Sequence, residues 1–178
     1  KAKLYENWTD VSGCLICDPR IVNNPEPIKT ITYRELRELA YMGATVLHED
    51  AIFPVRAAGI PVNIKNTNQP EDRGTMIVSE SAEHCDHIIT GIAGKKGMSV
   101  INIEKDKMNS EIGFGKNVLR ALEKSNVSFE HMPSGVDTMS VVIATEALAG
   151  KETAIIDEIK SRVHPDQIYI ESNLALIA

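Results

Sequence analysis

Residues Trp8 to Val22 read WTDVSGCLICDPRIV. The stretch packs Asp10, Asp18, Arg20 and a C-x-x-C pair into one loop, with Gly13 and Asp18-Pro19 as turn formers. Residue chemistry alone leaves its role open. Thr9 and Asp10 beside Gly13 could hold a nucleotide, because a turn offers backbone N–H groups and Arg20 could meet a phosphate bidentately. In the plainer alternative Asp10 shapes the turn and Arg20 pairs with a surface carboxylate. Cys14 and Cys17, joined by Cys85, His84 and His87, could complete a tetrahedral zinc site. A redox dithiol is a second reading, but that motif usually opens a helix, whose dipole lowers the thiol pKa, and here the Asp18-Pro19 turn follows. One unmatched C-x-x-C fits small buried residues better, and no metal site is expected.

Outward from this loop, the 178 residues are 43% apolar, enough to bury a core in one ordinary domain or two small ones. A net charge of -6 and an aromatic share of 4% argue against a nucleic-acid surface, which needs a basic face and stacking rings. No apolar run approaches the ~18 residues of a spanning helix. The first residues, KAKLYENWTD, lack the apolar stretch of a signal peptide. Three cysteines, an odd number, fit a reducing compartment, so a cytoplasmic protein without membrane or nucleic-acid partners is expected.

The loop is preceded by a strand end and extended by Asn23, Asn24, Pro25 and Pro27. Thr32 and Glu35 form a capping box ahead of Leu36, Leu39 and Ala40, which predicts a helix ending near Gly43. A second helix holds Ala51, Ile52, Val55 and Ala58 and stops at Gly59. Residues 61–65 alternate as a half-buried strand, and Thr75–Val78 read as a closing strand. The small polar run SESAEHCDH is the linker candidate, giving a first segment over 1–80 and a linker at 81–86.

Beyond it the rhythm changes. Residues 87–104 predict two strands divided by a hairpin at Gly94-Lys95-Lys96-Gly97. GIAGKKG lacks the spacing of a phosphate loop and reads as that hairpin's tip. Phe114, Val118, Ala121 and Leu122 form a helical stripe, Val127–Met132 and Thr138–Ala144 read as strands, Ile155, Ile159 and Val163 mark a helix, and Gln167–Ile170 a strand. The order from Met98 is βαββαβ, a ferredoxin-like α+β unit over 87–171. Leu174–Ala178 predict a further strand, taken with 172–178 as the start of another module. A chain opening on a loop and ending in a strand reads as a fragment of a longer polypeptide.

The order of the motifs carries a resemblance. W-T-D-V-x-G-x-x-x-x-D-P-R-I-V, then I-T-Y-R-E-L-x-E-L-A-x-x-G-A-x-V-L-H, then P-V-x-x-A-G-I-P-V-x-I-x-N-T with a closing G-T-M-I, resembles the C-terminal part of an aspartokinase catalytic domain, from Trp8 to about Val78. Residues 87–178 are similar to the ACT regulatory region that follows it in that family. The resemblance implies an α/β amino-acid-kinase segment joined to a ferredoxin-like ACT domain. It implies phosphoryl transfer from ATP-Mg to the side-chain carboxylate of L-aspartate, at the start of lysine, threonine and methionine synthesis. The family's nucleotide contacts fall on Thr9, Asp10, Leu15, Arg20, Thr45 and Val46; Thr45 stands where many members carry Lys, and Glu49 replaces a common Pro. The family's Lys-Phe-Gly-Gly and aspartate-binding segments have no counterpart in these residues, so no catalytic residue is assigned and the stretch is expected to be inactive by itself. The family's effector positions, for lysine and/or threonine, fall on Met108, Gly113, Phe114, Gly115, Ser128, Phe129, Glu130, Ser134 and Gly135. Glu130 would meet the ammonium of a lysine effector, and the ACT region is expected to pair with a second copy. The other reading is a stand-alone amino-acid-binding ACT module with the front segment as scaffold.

Overall fold

The computed structural model describes residues 2–42, 49–80 and 88–178. The chain divides into two compact units, Lys1–Lys95 with Ile177–Ala178, and Lys96–Leu176.

The first unit carries β1 (Tyr5–Thr9), β2 (Thr30–Thr32), α1 (Tyr33–Tyr41), α2 (Glu49–Ala57), β3 (Val62–Asn66) and β4 (Thr75–Val78). Its sheet runs in the order β1-β3-β4-β2, with β1 parallel to β3, β2 parallel to β4, and β3 antiparallel to β4. The alternation predicted for β3 is realised: Val62 and Ile64 are completely buried. The capping box of α1 closes as expected. The Glu35 N–H donates to Thr32 Oγ1 at 3.2 Å, and the Thr32 N–H donates to Glu35 Oε2 at 2.9 Å, so two otherwise orphaned donors are satisfied. Leu36 and Leu39, three residues apart, place the apolar stripe of α1 in the core, where each buried side chain contributes about 1.5–3 kcal/mol.

The second unit is built from most of β5 (Gly94–Glu104), a 3-10 turn at Met108–Ser110, α3 (Phe114–Lys124), β6 (Thr138–Ala144), α4 (Thr145–Leu148), α5 (Glu152–Val163) and most of β7 (Gln167–Ile177). The sheet order is β6-β5-β7. β5 and β6 are antiparallel, and β7 also runs against β5, since Ser99 meets Ser172 while the Asp166 N–H donates to the Glu104 carbonyl. Phe114, Val118, Ala121 and Leu122 of α3 pack with Ile155, Ile159 and Val163 of α5 on Ile101, Ile103, Val141 and Ile143 of the strands. Helices covering one sheet face in this order make the ferredoxin-like arrangement.

Three expected elements differ. Among the described residues 88–104 no hairpin forms: β5 runs unbroken through Gly94-Lys95-Lys96-Gly97. Lys95 and Lys96, which would be the central pair of a two-residue turn, both lack the positive φ that the favoured hairpin turns require, and only Gly97 is left-handed, at φ 78°. Val127–Met132 is not a regular strand. It makes an isolated bridge from His131 to Val142, with Ser134 to Met139 beyond, so it occupies the edge beside β6 while Pro133 lacks a ladder donor. The strand expected to start at Leu174 is the continuation of β7, because Asn173 takes a left-handed φ of 62° without ending the strand. β2 and α4 were not anticipated, being only 3 and 4 residues long.

Candidate functional site

In the first unit the loop after β1 lies at the carboxyl ends of the parallel pair β1 and β3, the usual location of ligand sites in such sheets. The Thr9 carbonyl accepts the Thr67 N–H at 2.8 Å and the Thr67 hydroxyl at 2.9 Å, and the Thr9 hydroxyl is 3.1 Å from Asp10 Oδ1. Ser12 ties the loop to the β3–β4 connection. Its hydroxyl is 2.5 Å from Asp72 Oδ2 and accepts the Asn66 side-chain amide at 2.9 Å. Gly13, at φ 111°, passes directly over Thr75, whose hydroxyl accepts the Cys14 N–H at 2.8 Å and donates to the Ile28 carbonyl at 2.6 Å.

Thr9 and Asp10 therefore stand together at the strand end, and Leu15 is exposed at a bridge to Pro27. Arg20 sits on Asp18, with its Nη2 2.6 Å and its Nε 2.9 Å from the carboxylate, and its side chain is 82% exposed. The Arg20 guanidinium and N–H hold the Asp18 carboxyl down at about 2. Thr45 and Val46 lie outside the described residues, as do His84, Cys85 and His87. Cys14 is buried, which pushes its thiol up to about 11 against the lowering contact with Thr75. A neutral thiol suits packing and opposes thiolate chemistry. Ser12, Asn66, Asp72 and Thr75 were not singled out from the sequence: Asn66, Asp72 and Thr75 come from β3, the β3–β4 connection and β4, 54 or more residues from their partners Ser12 and Cys14 in the loop, and no spacing rule links them.

In the second unit Gly113, at φ 83°, is the N-cap of α3, and no side chain caps this helix. The backbone N–H groups of its first turn are the donors a carboxylate would use. An added Cβ on Gly115 would lie 3.5 Å from Met139 Cε, and Met139 is bridged to Ser134. The Gly135 N–H donates to the Thr138 carbonyl at 2.7 Å, and the Asn109 N–H to the Val136 carbonyl at 3.1 Å. The turn at Ser134-Gly135, the Met108 turn and the start of α3 are thus brought together. Ser128, Phe129 and Glu130 lie farther along the β6 edge. The Glu130 N–H donates to the Val142 carbonyl at 2.8 Å, three residues from Met139, or about 10 Å at the rise of a strand. Met108 and Phe114 belong to the hydrophobic core and shape the site from behind. Lys105, Glu111 and Asp137 went unnoticed in the sequence. The Asp137 carboxylate accepts the Lys107 N–H at 2.8 Å, and the Lys105 N–H donates to the Asp137 carbonyl at 2.8 Å. At the other end of α3, Lys124 and Arg162 both clasp Glu158 at 2.6 Å.

Among the described residues no helix is long and apolar enough to cross a membrane, and no three His, Cys, Asp or Glu side chains converge as metal ligands.

The first unit has the strand and helix order of an amino-acid-kinase segment, and the second is ferredoxin-like with an uncapped glycine turn. Residues 1–66 match the model of the amino acid kinase family. The chain is 43% identical over 178 residues to aspartokinase 3 of Bacillus subtilis, covering 99% of this chain and 39% of that protein. It is 60% identical to the crystal structure of Clostridium acetobutylicum aspartate kinase, with a TM-score of 0.87, covering 99% of this chain and 41% of that one. The structure of Escherichia coli aspartokinase III in complex with lysine and aspartate shares the fold at 23% identity, with a TM-score of 0.74, over 99% of this chain and 39% of that one. The chain belongs to the aspartokinase family. It spans about two fifths of the length of these relatives.

Proposed function

We propose that this chain forms the nucleotide-side wall and the amino-acid-sensing region of an aspartokinase that transfers a phosphoryl group from ATP-Mg to the side-chain carboxylate of L-aspartate. The observation that carries the reading is that the likeness to Bacillus aspartokinase 3 runs through both units, over 99% of the chain. In this reading Thr9 and Asp10 meet the nucleotide at the end of β1, with Leu15, Arg20, Thr45 and Val46 completing its wall. In this reading Mg²⁺ arrives on the nucleotide, bridging its phosphates. Phosphoryl transfer is a matter of positioning and charge neutralisation. The lysine and glycine segments that do this in the family have no counterpart among these residues, so the chain alone does not phosphorylate aspartate. The ACT region senses lysine and/or threonine and pairs with a second copy, in a cytoplasmic enzyme serving lysine, threonine and methionine synthesis. The bound lysine of the Escherichia coli relative favours lysine as the effector.

A segment exchange tests the proposal. Replacing the matching stretch of Bacillus aspartokinase 3 by this chain is expected to give aspartate-dependent ADP release that an amino-acid effector inhibits, whereas the chain alone gives none. A folded but inactive hybrid, or an active isolated chain, would contradict it.

A further inference from the structure

Lys105 joins three parts of the second unit. Its Nζ pairs with the Glu111 carboxylate, donates at 2.6 Å to the carbonyl of Val163 in the last turn of α5, and stands 5.8 Å from the centroid of the Phe114 ring. Its side chain is only 22% exposed, and that of Glu111 34%, so these contacts are partly shielded from water. A lysine ammonium has three donors and no acceptor, and an aromatic face attracts it. Glu111 and Phe114 stand on either side of Ile112-Gly113, the turn that leads into α3, and the Phe114 N–H donates to the Glu111 carbonyl at 3.3 Å. Nothing lies within 4 Å of where a Cβ on Gly113 would be, and no side chain caps α3, so neighbouring atoms do not fix this glycine by packing. Lys105 holds the turn from both of its ends.

We propose that Lys105 is the positioning residue of the effector site: without touching the ligand, it sets the Glu111–Gly115 turn so that the first N–H groups of α3 face the ligand carboxylate. It also neutralises Glu111, which would otherwise place an uncompensated negative charge two residues from Gly113. The inference rests on the reading of the α3 N-terminus as an effector site.

The test uses the 178-residue chain with Lys105→Met, Lys105→Arg and, as a control, Lys124→Met, which breaks the clasp on Glu158 at the far end of α3. L-lysine affinity is read by calorimetry, folding by thermal denaturation, and the turn itself by hydrogen exchange at the Phe114 and Asn117 amides. Lys105→Met is expected to weaken lysine binding at least tenfold and to speed exchange at both amides at least tenfold, with Lys105→Arg restoring most of each and Lys124→Met changing neither. Unchanged exchange and affinity in Lys105→Met, or equal losses in Lys124→Met, would overturn the proposal. If the wild-type chain binds neither lysine nor threonine while exchange still responds to Lys105→Met, the effector reading fails and Lys105 is left with a structural role, which also overturns it.

Discussion

Gly13 and Thr75 pass so closely that a β-carbon on Gly13 would lie 2.3 Å from the Thr75 hydroxyl oxygen and 2.8 Å from its backbone nitrogen. Only glycine fits this crossing, and Gly13 also holds a positive φ of 111°. The contact fixes the turn between Asp10 and Cys14 against β4. Gly13→Ala combines backbone strain with overpacking and is expected to cost roughly 3–5 kcal/mol. Chemical denaturation should show the midpoint falling with little change in slope; a loss under about 1 kcal/mol would mean that the loop is not held by this crossing.

Glu35 gives the first unit an acid-side dependence. Burial acts to raise its carboxyl, but hydrogen bonds from the Thr32 hydroxyl, the Thr32 N–H and the Thr90 hydroxyl outweigh that and hold it below the ordinary value of 4.5. A depressed folded value stabilises fully above that ordinary value and is lost as pH falls through the depressed one. Glu35→Gln should flatten the fall in Tm below pH 4.5, and Thr32→Ala should cost about 0.5–2 kcal/mol at neutral pH. Parallel Tm curves for Glu35→Gln and wild type across that range would count against the capping role.

Cys14 should behave as a buried neutral thiol. With its value raised to about 11 from 9.0, its contribution is complete below pH 9.0 and fades as pH rises through about 11. At pH 8, alkylation of the native chain followed by mass spectrometry should label the part-exposed Cys17 well before Cys14. Elemental analysis should find far less than one zinc per chain, and chelator should leave the melting curve unchanged. Stoichiometric zinc, or Cys14 labelling as fast as Cys17, would contradict this.

Elements set by local rules were legible in the sequence. The Thr32–Glu35 box, the Phe114–Leu122 stripe and the Val62–Ile64 alternation each depend on neighbours within a few residues, and each forms as its spacing predicts. The hairpin at 94–97 failed because glycine and lysine at a plausible turn spacing do not fix the sign of φ; β5 stays extended through the pair. Val127–Met132 has strand-like composition but only two backbone hydrogen bonds to Val142, and pairing of that kind is a tertiary outcome. In the candidate sites, Gly13, Gly113 and Arg20 stood out as turn or charge signals. Thr75, Asn66 and Lys105 did not, because their partners Cys14, Ser12 and Val163 are 61, 54 and 58 residues away in sequence. The Arg20 guanidinium pairs with the Asp18 carboxylate two residues away.

The most direct measurement is thermal denaturation of the 178-residue chain with L-lysine, L-threonine or neither, for wild type and Glu130→Ala. At a lysine concentration of ~100 Kd, binding to the folded state alone adds ~2.7 kcal/mol. In a protein of this size that raises Tm by roughly 5–10 °C. Threonine, with no ammonium at the end of its side chain, should raise it less, and Glu130→Ala should remove most of the lysine response. No shift with either amino acid, or a larger shift with threonine that Glu130→Ala leaves unchanged, would contradict the assignment of the α3 N-terminus and Glu130 to a lysine effector.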